Sequence, residues 1–132
     1  MKKTYPIVIE NTGEKYLLVR VPDFEDAMTQ GKDVTEAIDM AEDLIGLIGT
    51  DYEDHGKALP TPTDLADIEA KYPEGIVNLV NVDFVEYRRV NNARAVKKNC
   101  TIPSWLNAAA EKAGVNFSAV LQEGLKRELQ LV

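Results

Sequence analysis

The chain is poor in the residues that build covalent or metal frameworks. It has one cysteine and one histidine in 132 residues. A single cysteine cannot form an internal disulfide, which excludes a disulfide-stapled scaffold. One imidazole and one thiol are too few for a dedicated transition-metal site, which draws several such ligands. Long apolar runs are missing too. No stretch approaches the roughly 20 residues of a membrane-spanning helix, so no membrane partner is expected. The opening MKKTYPIVIENTGEKY has basic residues with no apolar run behind them, so no secretory signal is expected and the chain is read as cytoplasmic. What is present is ordinary: 45% hydrophobic residues, enough for one domain or two small ones that fold on apolar burial alone. No cofactor is expected.

The net charge of −7 hides an asymmetry. Residues 1–86 hold 7 Lys/Arg against 19 Asp/Glu, a balance of −12, whereas residues 87–132 hold 8 against 3, a balance of +5. A swing of this size points to two domains with partners of opposite sign. An acidic domain repels nucleic acid and attracts a basic protein surface. A basic one attracts phosphate.

In the acidic part, Thr4–Glu10 alternates around Tyr5, Ile7 and Ile9 and reads as a strand. Asn11-Thr12-Gly13 is a turn, and Lys15–Val21 a second strand ended by Pro22-Asp23. Ala27–Gln30 predicts a short third strand closed by Gly31. Asp33-Val34-Thr35-Glu36 fits a capping box, in which Asp33 accepts from first-turn amides and Glu36 reaches back. Val34, Ala37, Ile38, Ala41, Leu44, Ile45 and Ile48 then recur at helical spacing, with Glu36, Asp39, Glu42 and Asp43 on the polar face. The helix is expected to run to about Asp54, with His55-Gly56 at its negative end. Pro60–Thr63 is a stiff loop and Asp64–Ala70 a short helix. Ile76–Tyr87 is apolar and β-prone on both faces and reads as a last, central strand. The order is β-β-β-α-β.

Asn91-Asn92-Ala93 marks a boundary. The residues after it are too few for a self-sufficient core, and with no staple available, association with another chain is the expected remedy. Ala95–Ile102 alternates Lys97, Asn99 and Thr101 with Lys98, Cys100 and Ile102, as a strand with one polar and one partly apolar face. Pro103 suits a helix start. Leu106, Ala109, Ala110 and Ala113 form a buried stripe that Gly114 ends. Asn116 can cap a second helix, where Phe117, Val120, Leu121, Leu125 and Leu129 repeat at helical spacing.

Lys97-Lys98-Asn99-Cys100-Thr101-Ile102-Pro103, then Trp105-Leu106, Gly114 and Asn116-Phe117-Ser118, resembles a ribbon-helix-helix module. The acidic unit before it, with Val21-Pro22-Asp23-Phe24, Thr29-Gln30-Gly31 and the helix opening Val34-Thr35-Glu36-Ala37, resembles the HicB antitoxin family. In the loop Asp23–Met28, where family members often carry a Pro-Gly-Cys-like turn, this chain is acidic.

The resemblance implies an α+β chain of two domains. Residues 1–88 would be a partial RNase H-like, HicB-like domain that binds and blocks a small basic mRNA-cleaving toxin of the HicA type. Residues 94–132 would be a ribbon-helix-helix that forms a homodimer and represses its own operon by binding operator DNA, with room for a tetramer through N-terminal contacts. In such a dimer one strand from each chain enters the major groove. Lys97, Asn99 and Thr101 would then read bases, and Cys100 and Ile102 would face the helices. Arg94, Lys98, Asn116, Phe117 and Ser118 would hold phosphates, the last two through free first-turn amides. Arg88 and Arg89 would add charge. Asp23, Phe24, Glu25 and Asp26 are the candidate toxin contacts, with the helix acids as alternatives.

Other readings are weaker. A metal-dependent nuclease needs several carboxylates converging inward, and the helix acids fall on a polar face, so no catalytic residue and no enzyme are expected. Cys100 is expected as a small core residue, His55 as a helix-end cap and Trp105 as a packing residue or a dimer contact. A second function class stays open: a stand-alone ribbon-helix-helix repressor whose first domain senses a small ligand.

Overall fold

The computed structural model describes residues 2–92 and 94–131. Ala93, part of the expected boundary, lies outside the described residues. Contacts divide the chain into two units, Met1–Arg94 and Ala95–Val132.

The first unit holds a four-stranded antiparallel sheet in the order β3-β2-β1-β4. Its strands are β1 (Lys2–Glu10), β2 (Leu17–Arg20), β3 (Met28–Gly31) and β4 (Ile76–Asp83). The alternation seen in the sequence sets the faces. Tyr5, Ile7 and Ile9 of β1, Val19 of β2, and Val80 and Val82 of β4 form one core with Ala37, Ala41 and Ile45 of helix α1 (Val34–Asp54). On the opposite face Pro6 and Val8 are also buried, and Gly75, leading into β4, lies against Val8. Beside β4 packs the short helix α2 (Leu65–Lys71), through which Ile68 is buried.

Helix α1 begins where the capping residues place it. The Asp33 carboxylate accepts from the Glu36 amide at 2.8 Å. The Glu36 carboxylate reaches one residue further back than a simple capping box, to the Lys32 amide at 3.2 Å. At the far end His55 is the C-cap, its ring Nδ1 2.8 Å from the Asp51 carbonyl. That carbonyl, followed by the nearby Asp51 and Asp54 charges, raises the His55 pKa above the usual imidazole value.

The segment expected as one central strand, Ile76–Tyr87, behaves differently in two respects. The strand stops at Asp83, and Phe84–Asn91 forms helix α3. The Asp83 carboxylate accepts from the amides of Val85 (3.1 Å) and Glu86 (3.2 Å), which turns the chain into a helix. Tertiary packing completes the switch. A Cβ at Gly49 would sit 2.2 Å from the Phe84 ring and one at Gly46 would sit 2.3 Å from the Tyr87 ring, so two glycines on α1 open the space that α3 fills. Arg88 then ties the two helices, donating to the Thr50 carbonyl (3.1 Å) and pairing with Asp54 at 2.9 Å. The second correction is position: β4 is a terminal strand, paired only with β1. Its apolar outer residues are exposed rather than covered.

The second unit contains helix α4 (Ser104–Lys112) and helix α5 (Phe117–Glu128). The Asn116 side chain caps α5 as expected, accepting from the Ala119 amide at 3.0 Å. Residues 94–103, expected to include a strand, carry no regular structure. A strand exists only by pairing, and a single chain offers this segment no neighbour.

Candidate nucleic-acid and partner interfaces

None of the described residues of the second unit is buried. Ile102, Leu106, Phe117, Val120, Leu121 and Leu125 are all exposed. Several of them wall an open groove of about 630 Å³ together with Lys98 and Cys100. The walls take alternate residues of the extended segment: Lys98, Cys100 and Ile102 face the groove, and Lys97, Asn99 and Thr101 are not among its lining residues. Cys100, expected as a core residue, is exposed in the single chain. The physical reason is the one that denies the strand its partner, since nothing covers this face. Lys98 lies on the groove side, where its long stem can run along apolar wall and keep the ammonium in water. The amides of Phe117 and Ser118 lie in the first turn of α5, where helix geometry provides no carbonyl acceptor. Asn116 spends its side chain on the cap.

Arg88 belongs to the first unit, where its guanidinium is engaged by the C-terminal turn of α1. Arg89 pairs with Glu86 at 3.2 Å.

The acidic loop of the first unit is tightly organised. Its backbone closes through Val21 N–H to Ala27 O (3.0 Å), Phe24 N–H to Val21 O (3.1 Å) and Ala27 N–H to Phe24 O (3.3 Å). Asp26 takes the left-handed conformation, φ 56°, in which glycine is most at ease. The four candidate contact residues separate. Phe24 is buried, its ring edge-on to Tyr5 (5.0 Å) and Tyr52 (5.5 Å), and so presents no side chain to a partner. The Asp23 carboxylate accepts from the amide of Thr63 (3.0 Å) and from its hydroxyl, pinning the stiff loop onto the turn. Nearby, Tyr5 donates its hydroxyl to the Pro60 carbonyl at 2.7 Å. Burial, with the Asp23 charge, pushes the Tyr5 pKa up to about 12. Glu25 and Asp26 are exposed.

A second acidic surface was hidden by the strand reading of residues 84–87. Asp39, Glu42 and Asp43 of α1 share an open groove of about 350 Å³ with Asp83, Glu86, Tyr87 and Val90. Burial, with the Asp43 charge, raises the Tyr87 pKa. The Glu86 amide above all, helped by the Val85 amide and the Lys2 charge, holds the Asp83 carboxyl below the usual carboxylate range. Glu36, grouped with these acids by helical spacing, is used instead at the helix start. The signal for the missing pair was present: Asp83-Phe84-Val85-Glu86 has the same Asp-x-x-Glu spacing as Asp33–Glu36. Among the described residues, no group of three or more His, Cys, Asp or Glu could hold a metal ion. No helix among them is long and apolar enough to cross a membrane.

Comparisons with known proteins agree with this architecture. The family model described as HicB-like antitoxin of bacterial toxin–antitoxin system matches residues 5–123. Among solved structures, the chain is similar to one described as a toxin–antitoxin complex from Streptococcus pneumoniae, at 26% identity and a TM-score of 0.60 over 97% of this chain and 99% of that one. It is similar to the antitoxin HicB3 at 25% identity and a TM-score of 0.53, covering 96% of this chain and 97% of that one. It also shares the fold of the Burkholderia pseudomallei antitoxin HicB, at 19% identity and a TM-score of 0.58 over 93% of this chain and 96% of that one. No curated protein matches the chain. With the family match spanning nearly the whole sequence, the chain belongs to the HicB-like antitoxins of bacterial toxin–antitoxin systems.

Proposed function

We propose that this chain is a two-part, non-catalytic regulator: its first unit binds and blocks a small basic mRNA-cleaving toxin of the HicA type, and its second unit pairs with a second copy as a ribbon-helix-helix that binds operator DNA. The observation that carries the second half is that no described residue is fully buried in a unit rich in large apolar side chains. Such a surface needs a partner. A second copy laid antiparallel along residues 95–102 would supply both the missing strand neighbour and the missing cover. Lys97, Asn99 and Thr101 would then form the outer face of the ribbon and read base edges. Arg94 and Lys98, with the amides of Phe117 and Ser118 behind the Asn116 cap, would hold phosphates. The first half rests on the charge of residues 1–86 and on the acidic surfaces that they build. Complementary charge speeds encounter and selects a basic partner.

The test is fluorescence anisotropy of the purified chain on a duplex from its own upstream region, against scrambled DNA at several salt concentrations, with the solution mass measured in parallel. The expected result is a dimer or larger assembly that prefers the upstream duplex and loses affinity steeply as salt rises. Asn99→Ala should abolish the preference without changing the mass. A monomer that binds neither duplex would reduce the second unit to something other than a DNA reader.

A further inference from the structure

Strand β4 is paired on one side only. Its register with β1 runs unbroken from Lys2 opposite Asp83 to Ile9 opposite Ile76. The Leu79 amide does not bond β1. It donates to the Asn78 side chain at 2.9 Å, which places it on the free edge. Antiparallel alternation puts the amides of Val77 and Asn81 on the same edge. Proteins protect such edges with proline, lysine, a bulge or a very short strand. Strand β4 spans eight residues, IVNLVNVD, with no proline and no lysine. The constant register leaves no bulge. Ile76 is 59% exposed and Leu79 47%. The opposite edge, β3, is only four residues long. One edge of this sheet is therefore guarded by brevity; on the other, α2 packs against β4, yet Ile76, Asn78, Leu79 and Asn81 stay exposed and leave that stretch of the strand accessible.

We propose that the free edge of β4 is where the basic protein partner docks, by adding a strand of its own to the sheet. The inference rests on the partner-binding reading of the first unit and names the surface that carries it. Charge decides between occupants. Glu74 precedes the edge, and Asp39, Glu42 and Asp43 line the groove beside its far end with Asp83 and Glu86, of which Asp83 is engaged by the α3 amides and the Lys2 charge and Glu86 by Arg89. The cations nearest in register, Lys2 and Lys3, sit on β1, on the inner side of β4. Two copies joined edge to edge would bring two such acidic sets together. A basic strand meets them with opposite charge, its main chain supplying hydrogen bonds along Val77–Asn81 and its side chains the ion pairs.

The experiment titrates the full chain, as parent and in two edge variants, with a purified small basic toxin of the HicA type. Leu79→Pro removes an outward amide that bonds only to a neighbouring side chain, a substitution edge strands tolerate. Asn78→Lys places a charge at an exposed position beside the edge, on the face that carries Val80 and Val82 further along the strand, and removes the acceptor of the Leu79 amide. Both should weaken binding by about 100-fold, as loss of several main-chain hydrogen bonds requires. Thermal melts should stay near that of the parent chain. If Leu79→Pro melts early, Asn78→Lys alone decides. Parent-like binding in Asn78→Lys would overturn the edge while leaving the partner reading intact. So would loss of binding confined to Glu25→Gln with Asp26→Asn. No binding by the parent chain would overturn both. A fall in the chain's own solution mass in Asn78→Lys would assign the edge to a second copy instead.

Discussion

The two units of this chain carry similar apolar side chains to different ends. In the first, Tyr5, Phe24, Ile45 and Phe84 are buried in one core, and two positions on α1 are glycine, which lets α3 approach. In the second, Leu106, Phe117, Leu121 and Leu125 are spaced as a helical core and stay exposed. The difference is one of size. The first unit has a sheet to close over a helix, whereas the second has two short helices and an extended segment, too little to bury its own surface. Charge follows this division only in part: the first unit is strongly acidic, the second only mildly basic, because Arg88, Arg89 and Arg94 fall in the first.

Substitutions can break or sharpen this contrast. The largest effect is expected at Phe84, which fills the space left by Gly49: Phe84→Ala should cost the first unit about 3–5 kcal/mol in urea unfolding, at any protein concentration. A loss under about 1 kcal/mol would mean that α3 is not part of the core. In the second unit the cost should instead depend on concentration. Leu121→Lys should weaken the proposed self-association by about 2–3 kcal/mol in sedimentation equilibrium while the melting of the first unit stays put. An unchanged association constant would remove this face from the pairing surface. A smaller effect separates holding the loop from contacting a partner. Asp23→Ala should destabilise the first unit by about 1–3 kcal/mol, and a double-mutant cycle with Thr63→Val should show the two residues coupled. Strictly additive losses would mean that the Asp23–Thr63 contact does not hold the loop. The smallest change is a gain: Asp26→Gly should stabilise the first unit by about 0.5–1 kcal/mol, because the left-handed backbone at that position costs aspartate more than glycine. A lower melting temperature would argue against that conformation in solution.

The elements that local chemistry governs were legible before the structure. The first two strands follow alternation, and the third lies one residue along from Ala27–Gln30, at Met28–Gly31. The start of α1 follows Asp33 and Glu36, its end follows His55-Gly56, and Asn116 marks α5. The misread segment, Ile76–Tyr87, shows where locality ends. Its second half is β-prone, yet Asp83 caps a helix and Phe84 and Tyr87 find Gly49 and Gly46 on α1. The Asp-x-x-Glu spacing at 83–86 was a local hint, outweighed by the apolar run around it. The burial of Phe24 is not legible from neighbours in the chain for a related reason. An aromatic in an acidic loop looks like a contact residue until the loop closes over its own backbone and turns the ring toward Tyr5 and Tyr52.

What the sequence determined by itself is the set of local decisions, including where helices begin, which strand face is apolar and how charge divides the chain, because capping, side-chain alternation and net charge depend on neighbours in the chain. What only the tertiary structure decided is which strand ends the sheet, which acids share a groove and which aromatics are buried. Those outcomes are set by contacts between residues far apart in sequence, such as Asp23 with Thr63 and Gly49 with Phe84.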